Sequence, residues 1–137
     1  GKPFVGRSGQ LLDRMLTAIG LGRNDVYIAN VVPWRPPGNR TPTPQEAHVC
    51  RPFLERQIAL VAPELVLTLG GPATKAILDV ADGIMKVRGK WRETELGGAT
   101  RPVMATLHPA YLLRTPAAKR QAWRDLLAVK ARLAGKA

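Results

Sequence analysis

The sequence predicts an α/β fold of three layers, α/β/α, with helices on both faces of a mostly parallel central sheet. Three observations carry this. Short, nearly continuous apolar runs of strand length alternate with longer segments whose apolar residues recur every three or four positions. A glycine turn, Gly70-Gly71-Pro72, joins one such run directly to a helix-like segment, which is half of a βαβ unit. The 137 residues suffice for one core and are short for two, so a single domain over 1–137 is expected.

Taken in order, Ser8 is placed to cap a first helix whose apolar face is Leu11, Leu12, Met15, Leu16 and Ile19, ending at Gly20 and Gly22. Val26 to Val32 is a run bounded by Asp25 and Pro33 and reads as a buried strand. Pro33 to Pro44 holds too many prolines for regular structure and becomes a stiff basic loop carrying Arg35 and Arg40. Thr43-Pro44-Gln45-Glu46 has the form of a capping box with proline at the first helical position. It opens a second helix, with Val49, Phe53, Leu54, Ile58 and Leu60 as its apolar positions, that runs to about Val61.

Glu64 to Leu69 reads as another strand, and a third helix follows the glycine turn through Leu78. Paired glycines before a helix can present N–H groups to phosphate, but without further motif a tight turn is the simpler reading. Val87 to Leu96 and Arg101 to Leu107 flank Gly97-Gly98 and suggest a hairpin or two neighbouring strands. Thr115 to Ala134 is an amphipathic terminal helix, with Trp123, Leu126, Leu127 and Leu133 beside Lys119, Arg120, Arg124, Lys130 and Arg132. Its charges are a solvated face, or a surface resting near phosphates.

Lys and Arg number 21 against 10 Asp and Glu, a net charge of +11 that suits a polyanionic partner, nucleic acid first. No apolar run approaches the roughly 18 to 20 residues of a spanning helix, so no membrane partner is expected. A monomer in the cytoplasm is the expected state, and the single cysteine, Cys50, accords with a reducing compartment. The chain opens at Gly1 without methionine, in what reads as the middle of a loop, so further residues upstream are expected.

The richest stretch is Thr106-Leu107-His108-Pro109-Ala110-Tyr111-Leu112-Leu113-Arg114, where a β-prone run ends in a histidine pinned by proline and is followed by large apolar residues and an arginine. Removing a base from duplex DNA needs a polar group aimed at the extruded base and bulky residues to fill the gap. Taken alone, these residues are more simply a core histidine at a strand end and ordinary loop hydrophobes. In open α/β sheets ligands sit beyond the carboxyl ends of the strands. Asn30 and His108, each near such an end, are therefore expected to share one cleft, with Arg35, Arg40 and Arg114 at its rim.

Four segments in order, Gly1 to Leu12, Val26 to Asn30, Arg35 to Arg40 and His108 to Arg114, resemble the motifs of the uracil-DNA glycosylase superfamily, most nearly its type 4, iron-sulfur branch. The resemblance covers almost the whole chain. It implies a DNA repair enzyme, a hydrolase of N-glycosyl bonds that flips uracil out of DNA and releases the free base. Phe4 resembles the aromatic that stacks on the flipped uracil, where the residues alone allow a loop phenylalanine. Asn30 resembles the amide that pairs with the O4 and N3–H edge and mismatches cytosine, where the residues alone allow a strand-end asparagine bonded to backbone. His108 resembles the histidine that donates to uracil O2. Tyr111, Leu112, Leu113 and Arg114 resemble the loop that enters the minor groove, the leucines as wedge and Arg114 on phosphate. His48 is expected to have a surface or packing role.

Two departures are visible. The family's upstream Gly-Glu-x-Pro-Gly-type segment, which positions water, and a strand inside the sheet are expected before Gly1. Type 4 members hold a four-iron cluster on four cysteines, one in the proline-rich loop and one in the next helix. Here the helix position is Cys50 and the loop position is Trp34, so no cluster, no other metal and no other cofactor is expected. A non-catalytic nucleic-acid-binding domain on the same fold is the alternative function.

Overall fold

The computed structural model describes residues 6–22, 25–28 and 44–135. Their order is α1 (Gly6–Ala18), α2 (Pro44–Val61), β1 (Val66–Leu69), α3 (Gly71–Leu78), α4 (Ile84–Val87), β2 (Trp91–Leu96), β3 (Ala99–Thr106), α5 (Pro109–Arg114), a 3₁₀ turn (Pro116–Ala118) and α6 (Lys119–Leu133). The sheet runs β1-β3-β2. β1 and β3 are parallel, with Leu69 opposite Thr106, and β2 returns antiparallel along β3. The β2–β3 hairpin turns at Gly97-Gly98, both at positive φ, as a two-residue hairpin loop requires.

Alternation along β3 makes the layers. Met104 points into a core with Met15 of α1, Ile19 just beyond it, Leu112 of α5, and Ala122, Leu126 and Val129 of α6. Its neighbour Val103 points the other way, into a core with Leu54 of α2, Ile77 of α3 and Leu96 of β2. Period two in a strand places successive side chains on opposite faces, so one strand serves both cores. Helices thus cover both faces, as the sequence predicts. The α2–α3 layer is tied by Arg51, whose guanidinium donates to the Ala76 carbonyl. On the other side Arg132 of α6 lies 5.0 Å over the Trp91 ring and 3.2 Å from Glu93 Oε1, joining the last helix to β2.

Several expectations are corrected. α1 starts at Gly6, so Ser8 lies within it rather than capping it. Val26, Tyr27 and Ile28 belong to no strand, and the rest of that run lies outside the described residues. β2 begins only at Trp91, because Ile84–Val87 form a short helix. His108 to Arg114, read as a loop, is largely helical. The inward face of α2 is Cys50, Leu54 and Ile58, at four-residue spacing, while Val49, Phe53 and Leu60 are exposed. In α6 the inward face is Ala122, Asp125, Leu126 and Val129, and Trp123, Leu127 and Leu133 face outward. In each helix apolar composition suggested a wider stripe than the phase of the helix buries.

One charged residue sits in that inward face. Asp125 is 2% exposed and takes two hydrogen bonds from Arg88, Nε at 3.1 Å and Nη2 at 2.9 Å. The Thr106 hydroxyl donates to the same carboxylate at 2.6 Å. No helix among the described residues is long and apolar enough to cross a membrane.

Candidate active site

The parallel pair β1 and β3 ends on one side of the sheet, and His108 stands there. β3 is buried through Thr106 and Leu107, and Pro109 then stops it. Proline disfavours helical backbone at the preceding residue and presets the first helical φ, so His-Pro makes a strand-to-helix corner. His108 accordingly has extended backbone, φ −72° and ψ 140°, and is the N-cap of α5. Its carbonyl accepts from the Tyr111 and Leu112 N–H groups at 3.0 and 3.2 Å. Its ring also caps: Nδ1 accepts from the Ala110 N–H at 3.0 Å.

That last bond decides the chemistry of the ring. A nitrogen that accepts a hydrogen bond carries a lone pair, so in the neutral imidazole the proton is on Nε2, which makes Nε2 a donor. Burial, and then the Arg114 guanidinium six residues onward, hold the His108 pKa below the ordinary value of 6.5. The half-buried ring is therefore a neutral donor at physiological pH. Protonation would set a new Nδ1–H against the Ala110 N–H and open the cap.

The sign of the pH effect follows. Between the lowered value and 6.5 the unfolded chain binds a proton that the folded chain refuses. Folding stability is thus full above this window and falls as pH drops through it. Arg114→Gln removes the like charge and is expected to raise the His108 midpoint in an NMR titration. An unmoved or lower midpoint would show that Arg114 does not act on the ring.

Gly70 closes the other side. It follows β1 directly, its N–H donates to the Thr106 carbonyl at 2.9 Å, and it begins the turn into α3 at φ +86°. A Cβ built there would lie 3.1 Å from His108 Cβ. Gly70 therefore serves a close approach to the histidine as well as a turn. Thr74 holds this corner through its hydroxyl, 2.8 Å from the Gly70 carbonyl and 2.8 Å from Thr68 Oγ1. The sequence signal for Gly70 was the doubled glycine at a strand end; its neighbour across the sheet was invisible without the register.

The remaining expected residues separate. Leu112 was expected among the DNA contacts, but it is 1% exposed and packed in the core shared by α1 and α6, so it is a core residue. Leu113, about 100° further round the helix, is only half-buried, Tyr111 is half-buried against the same core, and Arg114 is exposed. His48 is exposed on α2 and Cys50 is fully buried. Phe4, Asn30, Trp34, Arg35 and Arg40 lie outside the described residues. No group of three or more His, Cys, Asp or Glu able to hold a metal occurs among the described residues.

Comparison with known proteins accords with this arrangement. The uracil DNA glycosylase superfamily matches residues 1–127. The chain is 39% identical over 130 residues to a type-4 uracil-DNA glycosylase of Pyrobaculum aerophilum, covering 92% of this chain and 66% of the relative. It is 48% identical over 118 residues to one of Thermotoga maritima, covering 83% and 58% respectively. It is 44% identical over 120 residues to one of Archaeoglobus fulgidus, covering 85% and 60%. The chain thus spans between 58% and 66% of the length of these curated relatives. With its motifs in order and its histidine at the end of the central strand, the chain belongs to the uracil DNA glycosylase superfamily.

Proposed function

We propose that the protein flips uracil out of DNA and hydrolyses its N-glycosidic bond, releasing free uracil as the first step of base excision repair. The observation that carries this reading is the His108 ring, whose bond from the Ala110 N–H leaves a neutral Nε2–H donor beside the carboxyl ends of β1 and β3. As the bond from C1′ to uracil N1 breaks, its electron pair leaves with the base and negative charge spreads to O2. A fixed donor on O2 stabilises that charge more in the transition state than in the ground state. A cation is unnecessary, because the Nε2–H group is already oriented when the charge appears.

Recognition is assigned to residues with matching chemistry. Asn30 offers a donor and an acceptor on one plane to the O4 and N3–H edge, and Phe4 supplies a stacking surface. Leu113 fills the vacated stack, since Leu112 is committed to the core. Arg114 and Tyr111, together with Arg35 and Arg40 of the proline-rich segment, are assigned to the DNA backbone, in keeping with the net charge of +11. Full-length protein incubated with a uracil-bearing oligonucleotide is expected to leave an abasic site that alkali cleaves. Binding without an abasic site would favour the non-catalytic nucleic-acid-binding domain.

The reading includes no iron-sulfur cluster. A four-iron cluster is held by four thiolates, and the residues present do not fit it: Trp34, which offers no thiolate, stands at the loop position, and of the two positions within this sequence only the helix one is a cysteine, the buried Cys50. Cys50 is a small apolar residue in the α2 face, and no step runs through a metal. Purified full-length protein is expected to be colourless and free of stoichiometric iron. A brown protein with stoichiometric iron would overturn the assignment.

A further inference from the structure

We propose that Asp125, held by Arg88, is a positioning residue for His108 and acts through the Thr106 hydroxyl. The inference rests on the glycosylase reading for its kinetic test, but its geometry stands apart from it. Asp125 does not touch the ring. It sits on α6, whose Ala122, Leu126 and Val129 are locked in the core, and it grips β3 at the residue where the strand runs out. The bond from Thr106 Oγ1 is 2.6 Å, the length of a hydroxyl donating to a carboxylate.

Thr106 is also the hinge of the site. Its carbonyl accepts from the Gly70 N–H at 2.9 Å, and Gly70 lies against His108 Cβ. One residue earlier, the Ala105 carbonyl accepts from the Gly89 N–H at 3.0 Å. Gly89 in turn is pressed on the carboxylate: a Cβ built there would lie 2.8 Å from Asp125 Oδ1. Arg88 completes the clasp by donating to the Gln121 carbonyl at 3.3 Å as well as to Asp125. The last two residues of β3, the glycine beside the histidine and the body of α6 are thereby one hydrogen-bonded unit.

The composition of this unit argues for positioning over bulk stability. A buried ion pair is seldom more stabilising than well-packed apolar residues of the same volume. What directional bonds add is a fixed place for the strand end, and a donor that must meet a developing charge needs that place fixed. Misplacement of a reacting group by about an ångström can cost roughly a hundredfold in rate.

Thr106→Val tests this, because valine matches threonine in shape, lacks the hydroxyl and leaves the Arg88–Asp125 pair intact. In the full-length protein the variant is expected to keep its affinity for uracil-containing DNA while single-turnover release at saturating DNA falls roughly ten- to a hundredfold. Thr106→Ser, which restores the hydroxyl, is expected to recover most of that rate. A folded valine variant at the wild-type rate, or a serine variant no faster than valine, would overturn the proposal. Should the valine variant not fold, Thr106→Ala is read in the same way.

A second readout needs no activity. ¹⁵N NMR of the His108 ring in DNA-free protein is expected to give the Nε2–H tautomer in the wild type and the serine variant, and a mixture of tautomers in the valine variant. If the wild type releases no uracil, the glycosylase reading fails while this pattern still supports positioning. An unchanged tautomer in the valine variant would overturn positioning whatever the activity.

Discussion

Replacing His108 with alanine is expected to slow single-turnover release of uracil by about two to three powers of ten, the scale of losing one preorganised donor to a developing anion. DNA affinity should change little, since phosphate contact is assigned to other residues. The substitution also deletes the cap on the Ala110 N–H, worth about 1 kcal/mol, so a loosened α5 is a second cause of slow release. His108→Asn separates the two effects. Asparagine caps helices well, but its short amide does not extend to the place of Nε2. It is expected to be as stable as the wild type in urea and nearly as slow as alanine. Near-normal release by both variants would remove His108 from the mechanism.

The second large effect is on folding. Asp125→Ala leaves Arg88, whose side chain is 18% exposed, without its carboxylate, and leaves the Thr106 hydroxyl without its acceptor. Removing one partner of a buried ion pair typically costs 3 to 5 kcal/mol; the partial exposure of Arg88 places the expected loss near the lower end, about 3 kcal/mol. The double variant Asp125→Leu with Arg88→Met removes both charges together and is expected to recover much of this. Urea unfolding of the three proteins measures it. A loss well under 1 kcal/mol for Asp125→Ala would mean that water reaches the pair and that it does not clasp the strand.

These two residues also mark what was legible in the sequence. His108 was visible because proline fixes the backbone on both sides of the peptide it follows, so His-Pro after a β-prone run implies a corner wherever the rest of the chain lies. The hairpin at Gly97-Gly98 and the α1 face of Leu12, Met15 and Leu16, continued by Ile19, were visible for the same reason: their signals are local. Asp125 was not recognised. Among the basic residues of α6 it reads as part of a solvated face, although its spacing with Ala122, Leu126 and Val129 places it on the buried side. Its partners Arg88 and Thr106 lie 37 and 19 residues away, and no periodicity connects them. Leu112 and Leu113 were indistinguishable as wedge candidates, because which neighbour faces the core depends on the angle at which α5 meets α1 and α6. The strand expected from Val26 shows the limit of composition: within its apolar run Val26 and Ile28 are only partly buried and Tyr27 is 59% exposed.

The most direct test of the account is hydrolysis of a uracil-containing duplex by full-length protein in water enriched in ¹⁸O, with both products weighed. The account predicts an intact strand bearing an abasic site and free uracil without ¹⁸O, because water attacks C1′ and the base departs through N1 with its own two oxygens. Strand cleavage without added alkali, or an unchanged duplex that the protein merely binds, would contradict it.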